Sequence, residues 1–199
     1  MLYVLTAILS YLIGSIPFAF IIAKLVKGID IREYGSGNMG ATNVWRAIGK
    51  VPAITTLLLD VLKGYLPVIL TLTLLNQVTE NNILLAIVVG VAAIIGHLFP
   101  IFLKFKGGKG VAVSLGIFLA LAAKAVLICV LVFIIIVYFT RIISVGSIIC
   151  ALLLPVLVWY FSYDKHILIF TIIAGVFIIL KHKTNVARLV KGVENKLKI

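Results

Sequence analysis

The sequence predicts an all-α fold, a polytopic integral membrane bundle of seven transmembrane helices with the N-terminus outside the cell and the C-terminus in the cytoplasm. Three observations lead to this prediction. The composition is too apolar for a water-soluble domain of 199 residues, because 63% of the residues are hydrophobic and only 12% are charged. The apolar residues form runs long enough to cross a hydrocarbon layer. The basic residues lie in short segments between those runs.

Six of the apolar runs are predicted to cross the membrane, because each is long and is bounded by polar or charged residues. They are residues 2–23, 53–75, 83–103, 125–140, 142–161 and 167–180. The seventh run, residues 111–123, would extend only about 20 Å as a helix, against a hydrocarbon layer of about 30 Å. It is either a short crossing or a re-entrant element buried in protein.

The positions of lysine and arginine predict the orientation, because cytoplasmic loops carry an excess of both. With the N-terminus outside and all seven runs crossing, every basic residue except Lys63, Lys124 and Lys165 falls on the cytoplasmic side. If residues 111–123 do not cross, every later loop inverts and the basic tail falls outside. Seven spans are therefore preferred, and five spans are the alternative if two later runs fail to cross.

The first run is expected to be a retained helix and not a signal peptide, since it lacks a basic start and a clear cleavage site. Gly14, Ser15 and Pro17 are expected to interrupt it, because proline removes a backbone donor and clashes with the preceding turn. The interruption is either a packing kink or the wall of a cavity that faces the cytoplasmic loops. Residues 1–199 are interpreted as one membrane domain.

The first polar segment, residues 34–46, is rich in glycine and in short hydrogen-bonding side chains. Glycine lets backbone amides turn towards an anion, and arginine binds an oxyanion with two N–H groups. The residues concerned are Gly35, Ser36, Gly37, Asn38, Gly40, Thr42, Asn43 and Arg46. The spacing is not that of a Walker motif, so no nucleotide fold is implied. We interpret the segment as a phosphate cradle, with a flexible surface loop as the alternative.

The second polar segment, residues 96–110, places Lys104, Lys106 and Lys109 among closely spaced glycines at the end of an apolar run. This pattern predicts a compact cationic turn, although membrane anchoring by positive charge explains it equally well. His97 lies within the apolar run, where an ionisable group is a functional candidate. A neutral histidine bonded to a carbonyl is the structural alternative.

The third polar segment, residues 181–195, has the spacing of an amphipathic helix on anionic lipid, with Val186 and Val190 on its apolar face. That role requires neither His182 nor Asn185, and the charge of Glu194 opposes it. These three residues are therefore further candidates for the site.

Asp60 and Lys63 lie three residues apart in the second apolar run, so they share one helical face. Charges in a membrane interior need partners, and mutual neutralisation is one interpretation. The other is that Asp60 orients an Asn or Arg of the site. Ser144, which follows Arg141 on the same predicted side, is either a site residue or a helix cap.

These segments together resemble the acyl-phosphate-dependent glycerol-3-phosphate acyltransferase family of bacterial phospholipid synthesis. The matching elements are residues 14–18, 35–44, 60–64, 96–100, 104–112 and 182–194, in the family's order along the whole chain. The tail begins Lys181-His182-Lys183, where the family more often has Arg-His. That departure is minor.

The resemblance implies transfer of a fatty acyl group from acyl phosphate to the 1-hydroxyl of glycerol 3-phosphate. Because the donor is already activated, the protein need only align the hydroxyl, neutralise the leaving phosphate and stabilise the oxyanion. Ser36, Arg46, Lys104, His182 and Asn185 are the expected catalytic residues. Acyl phosphate is assigned to Gly37, Asn38, Gly40, Thr42, Asn43 and Ser144. Glycerol 3-phosphate is assigned to Ser36, Arg46, Lys104, Lys109 and Glu194, with Asp60 and His97 in support.

The chief alternative function is transport of an anionic metabolite, because broken helices and glycine-rich loops also form transporter sites. Against it, the sequence has no repeated halves, and its polar segments gather on one predicted side. We expect no cofactor, metal or nucleic-acid partner, a monomer in contact with membrane lipid, and a location in the inner, or plasma, membrane. The active site is expected to face the cytoplasm.

Overall fold

The computed structural model describes residues 1–74 and 82–197, and their regular secondary structure is helical. The α-helices are α1 Leu2–Ser15, α2 Phe18–Lys27, α3 Ala41–Ala47, α4 Lys50–Leu74, α5 Asn82–Leu98, α6 Val111–Leu121, α7 Ala123–Thr140, α8 Ile143–Tyr160, α9 Lys165–Lys181 and α10 Lys183–Val190. Two 3₁₀ turns, Ile31–Glu33 and Ile101–Leu103, lie between them. The predicted all-α membrane fold is confirmed.

Five stretches among the described residues have the length and apolarity of membrane spans. They are Leu2–Lys27, Lys50–Leu74, Asn82–Leu103, Ala123–Thr140 and Ile143–Tyr160. A sixth exists if α9 and α10, which bend by 56° at their junction, form one broken span. The predicted crossing at residues 111–123 corresponds to α6, which has 11 residues and ends at Leu121. The count of seven spans stays a prediction.

Helix boundaries differ from the predicted runs where proline intervenes. The first run is broken as predicted: α1 ends at Ser15, Ile16 and Pro17 are not helical, and α2 continues to Lys27. The third run is helical only to Leu98, because Pro100 disfavours helix at the preceding residue. The second run begins at Lys50, and its predicted end at Leu75 lies outside the described residues.

The chain divides into two compact units, of which the first is Met1–Leu121. Its helices approach closely at small residues. A side chain at Gly14 would overlap the Ala93 carbonyl, and one at Gly96 would overlap the Tyr11 carbonyl, so α1 and α5 pack backbone against backbone. Ser10 Oγ donates a 2.7 Å hydrogen bond to the Val89 carbonyl across the same interface. Such contacts are typical of helices packed in lipid.

The second unit, Ala122–Ile199, is built on α7, α8 and α9. The backbone of Gly146 in α8 lies against the Phe133 ring of α7, and Gly175 in α9 lies against the Ala151 carbonyl of α8. Cys150 Sγ donates to the Cys129 carbonyl at 3.1 Å, which further ties α7 to α8. Along α7, α8 and α9 many of the exposed side chains are large and apolar, as expected of helices in hydrocarbon.

Candidate functional site

The first polar segment is held in shape by Asn43, which is only 1% exposed. Its Oδ1 accepts the Ser36 amide N–H at 2.8 Å, and its Nδ2 donates to the carbonyls of Ile31 and Tyr34, both at 3.0 Å. Both amide hydrogens and the amide oxygen are therefore used within the segment. Asn43 determines where the Ser36 side chain lies, and its predicted contact with acyl phosphate stays a prediction.

Two of the three glycines in this segment have the left-handed backbone that glycine favours. Gly35 has φ +59°, and a side chain there would also overlap Asn43 Oδ1. Gly37 has φ +67°, whereas Gly40 is extended and precedes α3. The resulting turn leaves the Ser36 side chain exposed, with Asn38 and Thr42 half-buried.

An apolar cluster lies beneath the first polar segment and joins it to neighbouring elements of the first unit. Its buried members are Ala19 and Ala23 of α2, Ile31, Met39, Val44, Ala53 and Leu103. Leu103 belongs to the second polar segment, so the two polar segments share one support. Arg46 lies half-buried in the last turn of α3.

The second polar segment folds back over the C-terminal end of α5. Lys104 and Phe105 have left-handed backbones, with φ of 52° and 61°, and the Gly108 amide donates to the His97 carbonyl at 3.1 Å. The side chains of Lys104 and Lys106 are exposed, and that of Lys109 is half-buried. This geometry agrees with the predicted cationic turn.

His97 lies where the two polar segments meet. The residue is 7% exposed and stands in the last turn of α5. A side chain at Gly108 would overlap the His97 ring and would come within 3.0 Å of the Met39 carbonyl. The absence of a side chain at Gly108 therefore lets both polar segments pack against His97.

A buried ion pair lies below His97. Lys63 Nζ is 2.7 Å from Asp60 Oδ1, which confirms that the two charges meet on one face of α4. Lys63 Nζ also donates to the Ile16 carbonyl at 2.8 Å and lies 5.5 Å from the centre of the Phe18 ring. His97 Nδ1 is 3.8 Å from Asp60 Oδ1. The geometry agrees with mutual neutralisation, and the orientation of an Asn or Arg by Asp60 stays a prediction.

In the second unit, the Glu194 carboxylate accepts hydrogen bonds from three side chains. Its Oε1 accepts from Ser144 Oγ at 3.1 Å and from Asn185 Nδ2 at 2.5 Å, and its Oε2 accepts from Arg188 Nε at 2.6 Å. Burial raises the pKa of the Glu194 carboxyl, but the hydrogen bonds from Arg188 and Asn185 and the Arg188 charge outweigh it. The pKa consequently lies below its ordinary value.

His182 lies at the junction of α9 and α10, and the residue is 3% exposed. Its Nδ1 lies 2.7 Å from the Ile178 carbonyl, and because a carbonyl only accepts, Nδ1 carries the proton. In the neutral ring Nε2 is then the basic nitrogen. Among the described residues, no three His, Cys, Asp or Glu side chains group as metal ligands do.

The structure thus places the predicted residues in two groups. Ser36, Asn43, Arg46, Lys104, Lys109, Asp60 and His97 belong to the first unit, and Ser144, His182, Asn185 and Glu194 belong to the second. Sequence reasoning missed Arg188 as the partner of Glu194. The opposite charges six residues apart were the available signal. It also missed the Ile16 carbonyl and Phe18 as partners of Lys63, for which no local signal existed.

Comparison with known proteins gives concordant results. The family model described as glycerol-3-phosphate acyltransferase matches residues 4–192. The glycerol-3-phosphate acyltransferase of Endomicrobium trichonymphae is 44% identical over 98% of this chain and 96% of the relative. The crystal structure of the integral membrane glycerol 3-phosphate acyltransferase PlsY in its glycerol 3-phosphate form superposes with a TM-score of 0.92 at 36% identity. That alignment covers 100% of this chain and 96% of the PlsY chain.

The lysophosphatidic acid form of PlsY gives a TM-score of 0.89 at 35% identity, over the same shares of the two chains. The resemblance expected from the ordered segments is confirmed, because sequence, length and fold agree along the whole chain. The chain belongs to the glycerol-3-phosphate acyltransferase family.

Proposed function

We propose that this protein transfers a fatty acyl group from acyl phosphate to the 1-hydroxyl of sn-glycerol 3-phosphate. The products are 1-acylglycerol 3-phosphate (lysophosphatidate) and inorganic phosphate, in the first acylation step of phospholipid synthesis. The observation that carries the proposal is the full-length match to PlsY, whose two structures are described as the glycerol 3-phosphate form and the lysophosphatidic acid form. These two molecules are the acceptor and the product of the proposed reaction.

Glycerol 3-phosphate is assigned to Ser36, Arg46, Lys104, Lys109 and Glu194. The exposure of Lys104 on the cationic turn supports this assignment, since a phosphate dianion that arrives from water needs cations that reach solvent. Glu194 contributes indirectly, because its carboxylate already accepts hydrogen bonds from three side chains.

The head of acyl phosphate is assigned to Gly37, Asn38, Gly40, Thr42, Asn43 and Ser144, together with His182 and Asn185. The left-handed turn at Gly35 and Gly37 supports this assignment, because such turns direct backbone amides towards an anion. Asn43 serves by shaping that turn.

In the proposed reaction the 1-hydroxyl oxygen of glycerol 3-phosphate bonds to the acyl carbon, and the bond from that carbon to the phosphate oxygen breaks. Ser36, Arg46 and Lys104 align the acceptor and neutralise phosphate charge. The hydroxyl proton passes to a phosphate oxygen, with His97 and His182 as the protein alternatives. Covalent acyl-enzyme chemistry is not required, so isolation of an acyl-Ser36 intermediate would overturn this scheme.

The proposed setting is the inner membrane of the cell, with seven spans, the N-terminus outside and the site on the cytoplasmic side. The basic residues of all three polar segments support this orientation. We further propose that residues 1–199 act as one domain and as a monomer, in contact with membrane lipid. No nucleic acid is expected to bind.

The deciding experiment is an assay of purified protein in detergent with synthetic acyl phosphate. Adding glycerol 3-phosphate is expected to release phosphate and to form lysophosphatidate in equal amounts. Acyl-coenzyme A in place of acyl phosphate is the donor control and is expected to give no product. Product formed with acyl-coenzyme A but not with acyl phosphate would reject the proposed donor. No product with either donor would reject the proposed activity.

A further inference from the structure

We propose that the Asp60–Lys63 ion pair is a positioning group for the acyl transfer, holding both polar segments of the first unit in their binding geometry. This inference rests on the proposed function, because it assigns those segments to the substrates. Neither side chain is placed in contact with substrate. Their effect is exerted through the backbone of the elements that they touch.

The first support is the break between α1 and α2. Ile16 and Pro17 are not helical, and the Ile16 carbonyl accepts the Phe18 N–H, two residues on, at 3.2 Å in place of a regular helical bond. Lys63 Nζ donates to the Ile16 carbonyl at 2.8 Å and is held by Asp60 at 2.7 Å. The ammonium therefore fixes the point from which α2 starts.

The helix α2 transmits this position to the polar segments. Its residues Ala19 and Ala23 are 2% and 0% exposed in the apolar cluster. The same cluster contains Met39 and Val44 of the first polar segment and Leu103 of the second. A shift of α2 would therefore displace both the first and the second polar segment.

The second support runs through His97. Asp60 Oδ1 lies 3.8 Å from His97 Nδ1, and the His97 carbonyl accepts the Gly108 amide at 3.1 Å. The His97 ring also lies against the Gly108 backbone, close to the Met39 carbonyl. One carboxylate thus adjoins both the lysine at the helix break and the histidine beneath the two polar segments.

Energetics favour a positioning role over a purely stabilising one. Both side chains are 3% exposed within a candidate membrane span, where taking two charges out of water is costly. Apolar residues of similar volume would fill such a space at least as well. Apolar residues cannot donate a hydrogen bond to the Ile16 carbonyl or present a carboxylate to the His97 ring.

The test compares Asp60→Asn and the double variant Asp60→Asn/Lys63→Met with wild type in the acyl-phosphate assay. Because small misplacements of binding groups are costly, we expect the KM for glycerol 3-phosphate to rise roughly 10- to 100-fold. Asp60→Glu, which restores a carboxylate, is expected to recover most of that loss. A variant that is only less stable would lose active enzyme, and hence kcat, at an unchanged KM.

Thr71→Val is the matched control. Thr71 is also buried in α4, but its hydroxyl donates to the Pro67 carbonyl, one turn earlier in the same helix, at 2.8 Å. It lies about 12 Å along the helix from Lys63 at the usual rise of about 1.5 Å per residue. The KM values of the Thr71→Val variant are expected to equal those of wild type.

Amide hydrogen exchange tests the inference independently of activity. In the double variant, peptides covering residues 35–46 and 104–110 are expected to exchange faster than in wild type, with little change in α8 and α9. Unchanged KM and unchanged exchange would overturn the proposal. Failure of every Asp60 and Lys63 variant to fold, with Thr71→Val folded, would also overturn it, by showing a general structural role. An inactive wild type would instead reject the proposed function, while hydrogen exchange still decides this inference.

Discussion

Asn43 illustrates how one buried side chain can organise a binding segment at the scale of a residue. Its Nδ2 donates to the Ile31 and Tyr34 carbonyls, which also accept the Tyr34 and Gly37 N–H groups at 3.4 and 3.0 Å, and its Oδ1 accepts the Ser36 N–H. An asparagine in a polar, glycine-rich segment is easily read as a substrate ligand. Here the same residue type is required to keep the turn closed.

We predict that Asn43→Asp impairs the protein although the two side chains have the same shape. The new carboxyl group, when ionised, would present oxygen in place of Nδ2 to the Ile31 and Tyr34 carbonyls, which also carry partial negative charge. An oxygen buried against these carbonyls without a donor costs about 1–3 kcal/mol, so thermal unfolding in detergent should shift to lower temperature. Tyr34→Phe, which changes an exposed side chain of the same turn, is the control, and an equal shift in both variants would contradict the prediction.

A second residue-scale prediction concerns the cations assigned to glycerol 3-phosphate. Arg46→Ala and Lys104→Ala should each raise the KM for glycerol 3-phosphate severely, by roughly 10- to 100-fold for loss of a charge-assisted contact. The KM for acyl phosphate should change much less. Lys106→Ala, an exposed lysine of the same turn outside the assigned site, is the control. Unchanged kinetics in both Arg46 and Lys104 variants would reject the assignment.

At the scale of elements, Glu194 joins the start of α8 to α10 and the tail that follows it. Ser144 lies in the first turn of α8, and Asn185 and Arg188 lie in α10. The Leu197 amide adds a bond to the Arg141 carbonyl at 2.7 Å. Three pieces of the second unit are thus fixed around one carboxylate.

This arrangement predicts an acid-sensitive contact. The folded-state pKa of Glu194 lies below its ordinary value of 4.5, so its contribution to stability is complete above that pH and is lost as the pH falls through the folded-state pKa. Thermal stability measured from pH 7 to pH 3 should therefore decline more steeply in wild type than in Glu194→Gln. The variant should also be less stable near neutral pH, because an amide cannot accept all three hydrogen bonds equally well.

Glu33→Gln is the control for this experiment, since the Glu33 side chain is exposed on a 3₁₀ turn of the first unit. Its stability profile should follow that of wild type. Parallel profiles for wild type and Glu194→Gln would contradict the role given to the carboxylate.

At the scale of the whole molecule, the predicted seven-span topology depends on the short helix α6. Its 11 residues extend about 16 Å at the usual rise of about 1.5 Å per residue, which is less than a hydrocarbon layer. The orientation of every later loop nevertheless depends on whether the chain crosses the membrane there. Charge distribution favours crossing, because with the other six runs crossing the three basic polar segments then share one side.

We predict that single cysteines at Lys106 and Lys124 are labelled from opposite sides of the membrane by an impermeant thiol reagent. Cys129 and Cys150 would first be replaced by alanine, since both are free thiols. Cysteines at Tyr34 and Lys183, both exposed positions, serve as a reference pair expected on one side. Labelling of positions 106 and 124 from the same side would refute the seven-span topology.

Much of the fold could be predicted from local sequence, because the length of an apolar run and the period of a helix depend only on neighbouring residues. The helical membrane class, the break near Pro17, the Asp60–Lys63 pairing and the three polar segments all follow from such patterns. The order of those segments was also enough to suggest the family that the comparisons then confirmed.

The partners of the polar groups required the tertiary structure, because they come from residues far apart in the chain. Lys63 bonds to a carbonyl 47 positions earlier, and Ser144 bonds to Glu194 across 50 positions. Local sequence shows that a buried charge or amide needs a partner, but only packing brings a particular carbonyl or carboxylate within reach. The same reason explains why Asn43 and Glu194 resemble substrate ligands in the sequence, while folding engages their polar atoms within the protein.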